Sequence, residues 1–206
     1  MNKIITISRE FGSGGKEIGK RLADELGYAY YDGEIVNLLA KETGLSKKYI
    51  ENISEKGIYP YPFNFGKTFY ALNTMQNDQS NVLIKQTKII KEIASKSNCV
   101  IVGRGADVIL NDYDSINIFV YANMDYKVKR CFEKASEDEK LTAKEITQKI
   151  KQIDKNRKKF HDLLSSRSWG SKENYDLCIN TSNVNIKNII KPLSDYITNW
   201  FDGGKK

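Results

Sequence analysis

The sequence predicts an α/β fold built on a parallel sheet. Three observations carry that prediction. Short β-rich runs alternate with helix-patterned segments along the 206 residues, as in layered α/β domains. Most of the runs are continuously apolar, the pattern of strands covered on both faces. The first run ends in a glycine-rich turn that leads straight into a helix with an apolar stripe.

Taken in order, the first strand is 3–8, KIITIS. The helix after it carries Ile18, Leu22 and Leu26 at every fourth position, one face of a 3.6-residue period. The second strand is 28–31, and Ile35, Leu38 and Leu39 form the face of the next helix. Residues 56–73, KGIYPYPFNFGKTFYALN, are aromatic and hold two of the three prolines. They read either as a substrate-facing insertion or as a loop that packs its aromatics on the core. A helical face of Val82, Leu83, Gln86, Ile89, Ile90 and Ile93 leads to the third strand, 99–102. The fourth strand is 116–121, followed by a face of Val128, Cys131, Phe132 and Ala135. A long helix around 142–165 has the stripe Ile146, Ile150, Ile153, Phe160 and Leu164. Arg157 falls on that stripe. Burying an unpaired guanidinium is costly, so either the helix covers a polar cleft or Arg157 snorkels at the stripe's edge. The fifth strand is 176–180. The last helix, about 186–201, contains Pro192 and is expected to kink or begin there. DGGKK reads as a frayed tail. No repeat or low-complexity linker divides the chain, so a single domain over 1–206 is expected.

Composition excludes several classes. Hydrophobic residues make up 40% and proline is scarce, which argues against disorder. No apolar run approaches the roughly 18–20 residues of a membrane span. The first strand begins at once, with no signal-peptide pattern, so the cytoplasm is the expected location. Cys99, Cys131 and Cys178 are odd in number and lack CxxC spacing, which suggests reduced core thiols. The net charge is +7, and residues 141–172 hold nine Lys/Arg against three Asp/Glu. That excess reads either as a solvated basic helix face or as an anion site for nucleic acid or nucleotide phosphates.

The stretch ISREFGSGGKEIGKRLADELG, residues 7–27, bears on that choice. A regular phosphate loop reads GxxxxGK[ST]. Gly15–Lys16 supplies the GK, but Glu10 stands at the first glycine position and Glu17 at the hydroxyl position. The physical core of the motif survives. Gly12, Gly14 and Gly15 can turn successive N–H groups inward. Lys16 can extend a point charge toward the β and γ phosphates, and the helix behind it offers free N–H groups and a positive dipole end. The candidate ATP-phosphate residues are therefore Gly12, Ser13, Gly14, Gly15, Lys16 and Glu17. Glu17 either complements the helix dipole or serves as a hard oxygen ligand for Mg²⁺. Glu10 is available to pair with Arg9 or to orient Lys16. A GxGxxG dinucleotide site fails, because Glu17 stands where the third glycine belongs. A ligand-free glycine turn is the remaining alternative, and a lysine inside the cluster has no folding role in it. His161 is the single histidine. It lies among cations and is expected at the surface, and no GxSxG nucleophile motif occurs.

Four ordered stretches resemble the cytidylate kinase-like proteins, a branch of the nucleoside monophosphate kinases among P-loop NTPases. They are TISREFGSGGKEIGKRLA, YAYYDGEIVNLLAKETGLS, CVIVGRGADVIL and DKNRKKF…WGSKENYDLCINTS, and together they span nearly the whole chain. The resemblance implies a three-layer αβα fold with a five-stranded parallel sheet. It also implies an acceptor-binding region, here 32–80, and a helical lid, here 141–172. In true cytidylate kinases the strand after the acceptor region ends in Asp-Gly-Arg-Asp. Gly103 and Arg104 match, while Val102 and Gly105 replace the aspartates, with Asp107 nearby. By this resemblance Arg104 holds the acceptor's phosphate, a task suited to a bidentate guanidinium. In the lid, Asp154 and Arg157 match, Ile153 replaces an arginine, and Lys155, Lys158, Lys159 and Arg167 add charge. Asp32-Gly33 resembles the run before the acceptor site, but the Tyr-Arg that follows in true cytidylate kinases is absent.

The implied activity is ATP-dependent phosphoryl transfer to a nucleoside monophosphate or related small acceptor, with Mg²⁺ bridging the phosphates. Lys16, Arg104 and Arg157 are the candidate catalytic residues, and Asp32, Arg104 and Asp154 the candidate acceptor residues. Such transfer needs alignment and positive charge more than covalent help. A nucleotide-binding regulator with little transfer is the alternative suggested by the missing hydroxyl and aspartates. A nucleic-acid module ranks below both, for want of a recognisable binding signature. No nucleic acid or membrane partner is expected.

Overall fold

The computed structural model describes residues 1–51, 69–135 and 141–203, with side chains described from 80 onward in the helix that starts at 69. Five strands form its sheet: β1 (Ile4–Arg9), β2 (Ala29–Tyr31), β3 (Cys99–Val102), β4 (Ser115–Tyr121) and β5 (Leu177–Asn180). Their order is β2-β3-β1-β4-β5, and each pairing is parallel. The connecting helices are α1 (Gly15–Leu26), α2 (Gly33–Thr43), α3 (Lys47–Glu51), α4 (Phe69–Lys96), α5 (Ala106–Ile109), α6 (Met124–Lys134), α7 (Ala143–Leu164) and α8 (Ile186–Asp202).

Alternate strand residues face opposite sides, and each side has its own core. Ile5, Ile7, Val100, Val102, Ile116 and Ile118 pack against Ile18 and Leu22 of α1 and Ile190, Leu193 and Ile197 of α8. Ile4, Cys99 and Ile101 pack against Ile35 and Leu39 of α2 and Ile89, Ile90 and Ile93 of α4. The result is the expected three-layer αβα arrangement. Each fully buried aliphatic side chain here contributes roughly 1.5–3 kcal/mol.

The second face turns polar toward the centre of the sheet. Thr6 and Ser8 follow Ile4 on that face and are buried. Thr6 donates its hydroxyl to Asn117 Oδ1 at 2.6 Å. Phe119 of β4 packs on Trp169 and Tyr175, with ring centroids 5.3 and 4.9 Å apart. The loops after β1, β3, β4 and β5 share the carboxyl edge, where parallel α/β sheets place their ligands.

Several expectations shift. Leu38 of α2 is exposed and Val36 takes its place in the core, because the stripe is one residue rotated. The α6 face is as expected only in part: Val128, Cys131 and Ala135 are half-buried, Phe132 is exposed, and the fully buried residue is Lys127, which finds carboxylate partners. His161 is buried rather than superficial, because Asp107 faces it. Helix α8 runs through Pro192 without starting there. Ile186 and Ile190 before the proline, and Leu193 and Ile197 after it, hold both halves to the sheet. The three cysteines are free, Cys99 buried and the other two half-buried. The aromatic segment 56–73 lies outside the described residues, apart from the backbone of α4 from Phe69. Among the described residues, no helix is long and apolar enough to cross a membrane.

Candidate active site

The turn between β1 and α1 is held from outside. The Ser13 N–H and hydroxyl both return to the Glu10 carbonyl, at 3.4 and 2.8 Å. Thr181, just past β5, donates its hydroxyl to the Ser13 carbonyl at 2.8 Å. The Phe11 N–H donates to Asp154 Oδ1 of α7 at 2.7 Å. Glu10 Oε2 accepts from the Ala122 N–H at 3.2 Å and from Lys127 Nζ at 2.9 Å. Gly12 and Gly14 take positive φ values, +79° and +85°, a conformation glycine adopts without steric cost. Among the described residues, no protein acceptor takes the N–H of Gly12, Gly14, Gly15 or Lys16. The start of α1 therefore presents a set of unspent donors together with its dipole.

These donors border a cleft of about 780 Å³ in whose lining cations outnumber acids, with Arg9, Lys16, Lys20, Arg21, Arg130 and Arg157 among its residues. The Lys16 side chain is 75% exposed, and its Nζ lies 2.8 Å from Asp32 Oδ2. Arg157 is turned inward: Nη1 donates to the Arg9 carbonyl at 3.1 Å, and the guanidinium sits 5.7 Å from the Phe11 ring centroid. The stripe arginine thus covers a polar cleft. Glu17 lies in the cleft wall with both oxygens engaged, one by Arg130 Nη2 at 2.5 Å and one by Arg21 Nε at 2.9 Å. Burial works against its charge, but the Arg130 and Arg21 hydrogen bonds prevail and hold its carboxyl below the usual 4.5.

That shift has a sign. A carboxylate lowered in the folded state adds stability above its unfolded value and loses it as pH falls through the folded one. Glu17→Gln is therefore expected to cost stability by a constant amount at pH 6–8. The gap to the wild type should close as pH falls below about 4.5. Urea titrations across that range check it, and a gap that widens on acidification would contradict the ion-pair assignment.

Next to the cleft, the turn after β3 is unusual. Gly103, Arg104 and Gly105 all have positive φ, +75°, +61° and +65°, and Arg104 takes it without glycine's freedom. A Cβ on Gly103 would overlap the Arg9 guanidinium. Gln86 of α4 donates to the Arg104 carbonyl at 2.9 Å. Arg104 lines a second, smaller cavity of about 30 Å³ that shares Arg9 and Arg157 with the main cleft.

The residues singled out from the sequence thus separate into groups. Gly12, Gly14, Gly15, Lys16, Glu17, Asp32 and Arg157 border the cleft. Ser13 is buried beneath it. Arg104 borders the small cavity. Asp154 lines neither and braces the loop, its carboxyl raised above the usual range by burial against the pull of Phe11, Lys127 and Arg157. Lys155 and Lys158 are exposed and outside both linings. Arg167 is exposed and donates to Asn111 Oδ1 at 2.7 Å. Arg9, Arg21 and Arg130 join the site without having been expected there. The signal for Arg130 was its spacing from Lys127, two cations on one helix face.

A model of the cytidylate kinase-like family matches residues 4–183. A cytidylate kinase from Saccharolobus islandicus (strain L.S.2.15 / Lassen #1) is 27% identical over 200 residues, covering 95% of this chain and 90% of that protein. One from Fervidobacterium nodosum is 24% identical over 216 residues, covering 94% and 95%. Among solved structures, an uncharacterized protein from Eubacterium ventriosum has a TM-score of 0.67 at 28% identity, over 96% of this chain and 99% of that one. Shikimate kinase from Bacteroides thetaiotaomicron has a TM-score of 0.56 at 15% identity, over 95% and 98%, a likeness of fold.

Proposed function

The chain belongs to the cytidylate kinase-like family and is a nucleotide kinase-like phosphotransferase; on that footing we propose that it transfers the terminal phosphoryl group of ATP to a nucleoside monophosphate or related small acceptor. The observation that carries this reading is the loop's set of unspent N–H donors at the head of α1, facing a cationic cleft. Donors held in place by Glu10, Asp154 and Thr181 need no reorganisation when charge arrives, which is what electrostatic catalysis rewards.

In this reading the Gly12–Lys16 amides take the oxygens of the donor's phosphates, and Lys16 swings from Asp32 to add its charge. Arg157, carried by α7 within the proposed lid at 141–172, lines the cleft and neutralises charge on the transferring group. Arg104 anchors the acceptor at the border of the proposed acceptor region, 32–80. Bound ATP would supply the phosphoryl group, and Mg²⁺ accompanying it would supply further neutralisation of its phosphates. Among the described residues no cluster of three His, Cys, Asp or Glu could hold a metal. Phosphate oxygens and water are the main ligands we assign to Mg²⁺, which keeps several waters and few protein ligands. Glu17, the residue offered by the sequence as a metal ligand, we assign to orienting Arg21 and Arg130. A cytoplasmic location fits such substrates.

The test is ADP release measured with a coupled assay across nucleoside monophosphates and small phosphorylated or hydroxylated metabolites, with and without Mg²⁺. Acceptor-dependent, Mg²⁺-dependent release is expected with at least one of them. ATP binding with no turnover across the panel would leave a nucleotide-binding regulator instead.

Arg157→Ala should lower kcat/KM on the order of 10²-fold, the usual cost of removing one preorganised donor. Its stability cost should be about 1 kcal/mol, since its hydrogen bond to the Arg9 carbonyl, its contact with the Phe11 ring and its 4.0 Å ion pair with Asp154 are each modest. Thermal unfolding run beside the kinetics separates the two. A variant that mainly unfolds would make Arg157 a structural residue.

A further inference from the structure

The small cavity at the Gly103–Gly105 turn is lined by His161, which belongs to a pair that the mechanism above leaves unused. Asp107 of α5 and His161 of α7 are 5% and 3% exposed, with His161 Nε2 and Asp107 Oδ2 3.0 Å apart. An ionised carboxylate can only accept, so Nε2 carries the proton and donates it. With Nε2–H so engaged, the tautomer that pairs with Asp107 presents its lone pair at Nδ1. Among the described residues, neither His161 Nδ1 nor Asp107 Oδ1 has a hydrogen-bond partner, and both atoms are buried. Gln86 Oε1, on the side chain that holds the Arg104 carbonyl, is a third buried acceptor without one.

A purely structural His–Asp strut would satisfy both of its ends, as nearly all buried polar groups do. The open atoms of His161, Asp107 and Gln86 are acceptors, so what completes them is a donor. Arg9, Arg104 and Arg157 line the same cavity. Three guanidiniums repel an ammonium and attract an anion, so the donor is a hydroxyl on a molecule that also carries an anionic group. The cavity's volume, about 30 Å³, admits a group of water or hydroxyl size. The rest of such a molecule has room in the adjoining cleft. The left-handed backbone at Arg104 lies at this same turn, where strain of that kind commonly marks a functional site.

We propose that Asp107 and His161 form a hydroxyl-recognition subsite on the acceptor side: His161 Nδ1 accepts a hydrogen bond from a hydroxyl of an anionic acceptor, and Asp107 holds the ring for it. This rests on the phosphotransferase reading for the word acceptor, but its test is one of binding. Asp107 is a positioning residue here, and His161 is the group that touches the ligand.

The experiment uses matched phosphate monoesters that carry or lack one hydroxyl. The first set is a ribonucleoside 5′-monophosphate against its 2′-deoxy and 3′-deoxy forms. The second is glycerol 3-phosphate against propyl phosphate. Affinities are measured by calorimetry on the wild type and on Asp107→Leu/His161→Phe. Replacing both members of a buried polar pair with apolar groups of similar size leaves no orphan and tends to preserve the fold, and circular dichroism verifies that it has. In at least one pair the wild type should bind the hydroxylated member tenfold or more tightly, and the double variant should bind both members equally. Wild-type protein that distinguishes no pair, or binds none of these esters, overturns the subsite. So does a preference that survives in the double variant. The same ligands enter the ADP-release assay. A binding preference without turnover would overturn the kinase function and leave the subsite standing, whereas turnover without a preference would do the reverse.

Discussion

Lys127→Met is expected to destabilise the protein by about 3–5 kcal/mol, the cost of removing one partner from a buried ionic cluster. The Lys127 side chain is 6% exposed, and it bridges Glu10 Oε2 at 2.9 Å and Asp154 Oδ2 at 3.4 Å. Methionine fills the same volume but leaves the Glu10 and Asp154 carboxylates facing each other, with the more distant Arg157, 4.0 Å from Asp154 Oδ1, left to offset them. Both also brace the phosphate loop, through the Ala122 and Phe11 amides. The loss should therefore reach function: the protein that remains folded should bind ATP more weakly, with KM rising more than tenfold. The pH dependence has a definite sign. Burial already raises the Asp154 carboxyl above its usual value, and loss of Lys127 raises it further. A carboxyl raised in the folded state favours folding as it protonates, so the deficit should shrink as pH falls toward 4. Lys127→Arg, which keeps the charge, should recover most of the stability. Urea titrations of both variants decide the matter. A methionine variant as stable as the wild type at pH 7 would mean that the cluster contributes nothing to the fold.

Lys16→Ala is expected to lower kcat by on the order of 10²–10³-fold while leaving the fold in place. The Lys16 side chain is 75% exposed and, among the described residues, pairs only with Asp32. Exposed pairs of this kind contribute about 0–1 kcal/mol, so the unfolding midpoint should move by a few degrees at most. The control is Asp32→Asn. If pairing with Asp32 were the only role of Lys16, the two variants would lose activity alike. In the proposed mechanism Lys16 leaves Asp32 for the phosphates, so the alanine variant should be far the worse. Unchanged turnover in Lys16→Ala would mean that the donor's phosphates sit elsewhere.

Much of this was legible along the chain. The five strands appear within a residue of their predicted bounds, because continuous apolar runs report burial on two faces wherever the partners come from. The glycine turn was legible for a similar reason: positive φ and a lysine beside a helix start are local properties. Glu10 was not. As an irregularity in a motif it suggested a partner in Arg9 or Lys16, yet its carboxylate meets Lys127, 117 positions away. Lys127 was missed because the α6 pattern offered Val128, Cys131 and Phe132 as the inward face, and nothing local shows that a lysine will find two acids. His161 was misjudged for the same reason, since Asp107, 54 positions earlier, is what permits its burial.

The order of apolar and polar residues by itself determined the layered parallel sheet, the glycine cradle between β1 and α1, and the family resemblance. Packing in three dimensions decided which charges are structural and which face the cleft. Asp154 and Lys127 became braces, Arg157 turned inward, Arg130 and Arg21 closed on Glu17, and Lys155 and Lys158 stayed in solvent. Hydrophobic periodicity depends on neighbours three or four residues away, so it can be read locally. The cost of a buried charge depends on a partner brought from elsewhere in the chain, and only the folded arrangement supplies it.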